Sequence, residues 1–305
     1  MRARASLGIA LGSGGARGWA HIGVLAALEE AKLAPEIVCG TSIGAVIGAI
    51  HVVGKLGEFE RIVRRLNRLR VSQFFDFKLG AGGVIAGNRV VKVLHTLLRE
   101  TRIEALPRRF GCVATDVATG EEVWLREGRL IDALAASYAI PGLFPAMQLG
   151  GRWLFDGALT NPVPASLARA LGADVVVAVD VNAGLLAPPT FETDQVSLPD
   201  RRGIAGGFMR RMLARRKGGP SAFGAMSRSL QIMQTRMSRI RLAEDPPAIV
   251  LRPEVGRIGP LEFYRAEESI AAGAAAVHAN LPALREAVAQ RAFDLEAHLH
   301  TKPGD

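Results

Sequence analysis

Ser42 stands in Gly40-Thr41-Ser42-Ile43-Gly44, a G-x-S-x-G spacing in which small neighbours let a strand turn sharply into a helix. Such a turn lifts a hydroxyl above the sheet as a nucleophile for acyl transfer. The spacing alone is weak evidence, because a chain with 34 glycines offers chance matches. Acyl transfer also needs donors aimed at the oxyanion that develops on the attacked carbonyl. The run Gly12-Ser13-Gly14-Gly15-Ala16-Arg17-Gly18 can supply them, since a stretch almost free of side chains can turn its N–H groups outward at a helix N-terminus. Gly14 and Gly15 are the first choice of donors, with Ala16 and Arg17 in the same turn.

A nucleophilic serine needs a base. None of the six histidines is well placed after a strand-end acid. His21 shares the apolar side of a helical pattern with Val24, Leu25 and Leu28. His51 and His95 lie inside helical patterns, His278 ends an alanine-rich one, and His298 and His300 sit in a polar tail. An aspartate can act directly. Asp156 follows the apolar run Trp153-Leu154-Phe155 and precedes Gly157-Ala158, and burial there would lift its titration from the usual ~3.9 toward neutrality. The spacing is equally compatible with a plain turn cap before Asn161-Pro162, and Asp116 and Asp180 also stand at strand ends.

The elements that must position these groups read as βαβα. Leu7 to Leu11 is a short apolar strand, the glycine turn follows, and Trp19, Ile22, Leu25 and Leu28 mark a helix. Glu36 to Cys39 is a second strand, and Ala45 to Val53 a helix of small residues. Later apolar runs at Gly111 to Thr115, Glu121 to Leu125, Trp153 to Phe155, Asp174 to Val181 and Ala248 to Leu251 alternate with helical stretches. They predict an α/β fold with a mixed, mainly parallel sheet and helices on both faces. If the first two strands are neighbours, both turns open into one crevice at their carboxyl ends. The competing reading of Gly12-x-Gly14-x-x-x-Gly18 is a dinucleotide loop. It asks for an acidic residue or an arginine at the end of the second strand, where Val38, Cys39 and Gly40 stand instead.

The blocks LGSGGARGWAHIGVLAALEE, GTSIG, ASYAIPGLFPAM and DGALTNPVP resemble the successive motifs of the patatin-like phospholipases, in particular the small bacterial members. The resemblance spans roughly Leu7 to Asp180, and MQTRMSRIR and the helix after Phe263 look similar too. It implies a single-domain three-layer sandwich, hydrolysis of lipid acyl esters and no cofactor or metal. It also implies a Ser-Asp dyad of Ser42 and Asp156, with the glycine loop as oxyanion hole. Plant-type members often read D-G-G-G-x-R-G, and this chain carries Gly12 and Ser13 where the first Asp and Gly would stand. Ser13 is left with two roles open, a hydroxyl donor or a shaper of the turn.

The 305 residues, 49% hydrophobic and 22% charged, fit one large α/β domain. Its expected parts are a core at about 7–182, a basic loop or lid at about 183–220, and C-terminal helices and a strand at about 221–295. No apolar run reaches the ~18 residues of a membrane span, and the opening MRARASLGIALG leads into a glycine turn without a cleavage site. Cys39 and Cys112 lie in apolar runs and read as small core residues, consistent with a reducing cytoplasm. The net charge of +9 is concentrated: eleven Lys and Arg, and no Asp or Glu, lie between Arg201 and Arg241, so the remainder is close to neutral. That segment is expected to meet an anionic membrane peripherally, and with only Phe208 and Phe223 for stacking it is not expected to hold nucleic acid. The stripe Phe223, Met226, Leu230, Met233, Met237 and Ile240 predicts a helix docked on the core. A catalytically idle membrane-bound or regulatory protein of the same fold is the other functional class, and oligomeric state, head group and acyl length stay open.

Overall fold

A computed structural model describes residues 5–74, 77–80, 83–85, 88–184 and 222–300. Most of the expected basic loop, and residues 201–221 of the cationic segment, lie outside the described residues.

The central sheet grows outward from β1 (Leu7–Leu11), which pairs in parallel with β2 (Ile37–Thr41) on one side and β9 (Val175–Val179) on the other. β5 (Arg109–Asp116) extends it in parallel beyond β2, and β10 (Ile249–Leu251) does so beyond β9. β6 (Glu122–Leu125) and β8 (Arg152–Asp156) are antiparallel to β5, and β7 (Met147–Leu149) closes that edge against β8. The sheet is therefore mixed and mainly parallel. β1, β2 and β9 are buried throughout, which is why they read as unbroken apolar runs.

Alternate residues of these strands serve two cores. Ile9, Leu11, Val38, Val177 and Val179 face a layer that holds α1 (Ala20–Glu30), α2 (Ile43–Val52), α6 (Leu130–Ser137) and α9 (Ala266–His300). Ala10, Cys39, Val113 and Val176 face α7 (Ala165–Ala170) through Leu167 and Ala168. Each fully buried Ile, Leu or Val contributes about 1.5–3 kcal/mol, so both layers are firmly held. Helices thus cover both faces, giving three layers.

Between α2 and β5 lie α3 (Leu56–Val63), α4 (Arg68–Phe74), the antiparallel pair β3 (Phe77–Gly80) and β4 (Gly83–Ile85), and α5 (Asn88–Leu98). α8 (Ala222–Glu244) precedes β10 and packs on the turn that follows β8. The expected docking stripe of α8 is rotated away from the core. Met226, Leu230 and Met237 are half-buried, whereas Met233 and Ile240 are exposed and the buried positions are Thr235 and Ser238. Small side chains at those two positions let the helix lie close on the turn. Among the described residues, no helix is long and apolar enough to cross a membrane.

Candidate active site

Ser42 joins β2 to α2 with φ 57° and ψ −122°, a conformation that a non-glycine residue holds only when its surroundings enforce it. The enforcement is visible. A Cβ on Gly44 would lie 2.2 Å from the Leu11 carbonyl oxygen, so α2 can start against the end of β1 only if residue 44 has no side chain. The Ser42 N–H donates to Ser137 Oγ at 3.0 Å, which pins the turn to the end of α6.

The Ser42 hydroxyl donates to Asp156 Oδ2 at 2.6 Å. Asp156 pairs with Ala114 on β5, and Thr41 pairs with Val113 of the same strand, so serine and aspartate flank β5 at one level. Asp156 Oδ1 accepts the Ala158 N–H at 2.8 Å, which fixes the carboxylate plane. Both residues are buried. Burial pushes the Asp156 carboxyl up from 3.8 to about 7, against the opposing pull of its bonds from Ser42 and Ala158. It therefore caps the turn and is also hydrogen-bonded to the serine.

The glycine loop follows β1, the parallel neighbour of β2, and lines the same cavity as Ser42 and Asp156. The first N–H groups of the loop hold it in place: Gly12 donates to Val179 O and Ser13 to Pro162 O. The backbone carbonyl and Oγ of Ser13 accept from Asn182 Nδ2, which ties the residue to the segment after β9. Ala16 N–H donates to Pro260 O at 2.9 Å and is not free for an oxyanion. Gly14 and Gly15 N–H have no acceptor among the described residues. Gly15 has φ 58°, and a Cβ there would meet Pro260 O at 2.4 Å. Arg17 is buried, its Nη1 donates to Ile258 O at 3.4 Å, and burial with nearby Arg228 lowers its pKa to about 10. Arg17 is among the residues that line the cavity beside the loop.

The other candidates have different tasks. His21 Nε2 donates to Gly12 O at 2.7 Å, and burial holds its pKa down to about 4, so it is a neutral tie for the loop. His51 stands against Arg108 and is likewise held neutral. Asp116 caps the turn at Ala118, and Asp180 accepts from the Asn182 N–H. Neither is bonded to Ser42. The two cysteines are free and buried, and burial raises both thiols.

Two cavities meet at Ser42. The first is almost wholly apolar, lined by Trp19, Val46, Phe59, Val63, Leu94 and Phe144 among others, with about 860 Å³ of space including its mouth. The second, lined by the glycine loop, adds polar groups of Ser227, Gln231 and Gln234 from α8. These walls were not anticipated from sequence. Nothing local in Pro260 announced that its carbonyl would hold the loop.

A family model described as patatin-like phospholipase matches residues 9–169. An uncharacterized NTE family protein of Mycobacterium tuberculosis is 30% identical over 319 residues, covering 88% of this chain and 89% of its own. The chain belongs to the patatin-like phospholipase family. Patatin-like phospholipase domain-containing protein 6 of Mus musculus is 32% identical over 188 residues, 58% of this chain and 14% of that much longer protein. The solved structure of VipD from Legionella pneumophila aligns with 50% of this chain and 46% of its own at 14% identity and a TM-score of 0.35, a likeness too distant to inform the site. Membership supports lipid hydrolysis as the general activity of this patatin-like chain.

Proposed function

We propose that the protein is a serine acyl hydrolase acting on lipid acyl esters, phospholipid or lysophospholipid, through a Ser42–Asp156 dyad. The observation that carries this reading is the 2.6 Å bond from the Ser42 hydroxyl to a buried carboxylate whose pKa burial brings to about 7. Asp156 takes the hydroxyl proton as Ser42 Oγ attacks the ester carbonyl carbon. The resulting oxyanion is held by Gly14 and Gly15 N–H, with Arg17 adding positive charge nearby. As the tetrahedral species collapses, Asp156 returns the proton to the departing alcohol. Water, deprotonated by the same carboxylate, then attacks the acyl-serine and releases the fatty acid.

The apolar cavity suits the acyl chain, and the partly polar one suits the leaving alcohol. The cationic segment Arg201 to Arg241 suits peripheral contact with an anionic membrane on the cytoplasmic side. Fatty-acid release from mixed phospholipid and lysophospholipid vesicles, compared between wild type and Ser42→Ala, tests the reading. Release by wild type alone supports it, and equal release by both proteins overturns it.

A further inference from the structure

α8 leaves part of its apolar surface on the outside. A helix on a globular protein normally turns its apolar stripe inward. Here the buried positions are Thr235, 2% exposed, and Ser238, 0% exposed, while Ile232, Met233 and Ile240 are 39%, 58% and 52% exposed. At 3.6 residues per turn, positions 232, 233, 236, 239 and 240 fall on one side of the helix. The exposed Arg236 and Arg239 therefore stand among the three apolar side chains. The inner side of the same helix walls the cavity at Ser42 through Leu230, Gln231 and Gln234.

We propose that this outer face of α8 is the docking surface for an anionic lipid bilayer, with Ile232, Met233 and Ile240 entering the acyl boundary and Arg236 and Arg239 on lipid phosphates. Charge selects this occupant. No acidic residue lies between Arg201 and Arg241, so a second copy presenting the same face would be repelled. The described part of the face carries no aromatic residue on which a nucleic-acid base could stack. Exposed apolar side chains interleaved with arginine are what an interfacial helix needs, because the guanidinium groups stay at headgroup level while the stems and neighbours sink. A bilayer seated there lies about one helix diameter, ~10 Å, from the cavity that holds Ser42. The surface deepens the lipid-ester reading and rests on it for its purpose, but the two are tested by different readouts.

Cosedimentation with phosphatidylcholine vesicles, with and without phosphatidylglycerol, reads the surface, and turnover of a water-soluble acetate ester reads the site. Wild type should bind the anionic vesicles at least about tenfold better than the neutral ones, and added salt should weaken that binding. Ile232→Ser/Met233→Ser/Ile240→Ser and Arg236→Gln/Arg239→Gln should each lose about tenfold or more in partitioning, with wild-type melting temperature and acetate turnover. Vesicle binding by both variants at the wild-type level, or wild-type binding indifferent to lipid charge, overturns the proposal. So does a change from dimer to monomer in the triple variant with vesicle binding intact, which would assign the face to a second copy. Absent acetate turnover in wild type with intact anionic-vesicle binding would instead refute the hydrolase reading alone.

Discussion

Asp156 Oδ2 accepts the hydroxyl of Ser42 at 2.6 Å while its other oxygen accepts the Ala158 N–H at 2.8 Å. The carboxylate is thus oriented by the turn that follows it, and its basicity is set by burial rather than by a charged partner. A histidine is not needed to reach a useful proton affinity, because desolvation alone moves the acid toward neutrality.

That shift has a kinetic consequence. If Asp156 is the base proposed above, ester turnover requires its ionised form, and kcat/KM should rise about tenfold per pH unit below about 7 and level off above it. A pH profile on a soluble ester checks this, and a plateau extending well below pH ~5 would assign the base elsewhere.

The same shift also bears on stability. Because the folded-state pKa is raised, the folded protein binds this proton more tightly than the unfolded chain. The carboxyl therefore lowers stability as pH rises from about 4 to about 7, and the loss is complete above that. Asp156→Asn should gain melting temperature relative to wild type at pH ~8 and show much less gain at pH ~5. Thermal melts at both values measure it.

The serine turn tolerates no side chain at residue 44. Gly44→Ala should cost about 1–3 kcal/mol and reduce ester turnover, since the new Cβ meets the Leu11 carbonyl. Gly57→Ala in α3, where a Cβ meets nothing within 4 Å, should be neutral or slightly stabilising. Denaturant melts of the two variants distinguish a local clash from a general effect of losing glycine.

If the apolar cavity takes the acyl chain, filling it should act on chain length. Val46→Phe, one turn beyond Ser42, should lower palmitoyl ester turnover by about tenfold or more and leave acetate ester turnover within about twofold. Parallel assays on the two esters, with a melting temperature to monitor folding, report the outcome.

Arg241 joins α8 to the turn behind Asp156: its Nε donates to Thr160 O at 3.0 Å and its Nη2 lies 3.4 Å from Glu122 Oε2. Arg241→Gln should lower stability by about 1 kcal/mol and slow turnover without changing the pH midpoint. A shifted midpoint would mean that the arginine tunes the acid directly.

Much of this arrangement was legible in the sequence because it is local. A strand, a glycine-rich turn and a small-residue helix follow one another within Leu7–Leu11 and again around Ser42, so periodicity and turn chemistry suffice to find them. The parallel core strands declared themselves as unbroken apolar runs because both faces are covered. The short edge strand β7 and the β3–β4 pair went unread, having too few residues to show a period. Long-range contacts were also silent. Pro260 occupies the Ala16 N–H from almost 250 residues away, removing Ala16 from the candidate donors of the glycine loop, and no local pattern encodes that. The stripe on α8 misled because the most buried positions of the helix are Thr235 and Ser238, while Met226, Leu230 and Met237 are only half-buried and Met233 and Ile240 are exposed.

Fluorophosphonate labelling with mass-spectrometric mapping of the adduct tests the dyad most directly. The adduct should sit on Ser42, vanish in Ser42→Ala and form several orders of magnitude more slowly in Asp156→Asn. Labelling of Ser42→Ala as fast as wild type, or an undiminished rate in Asp156→Asn, would contradict the assignment of these two residues as nucleophile and base.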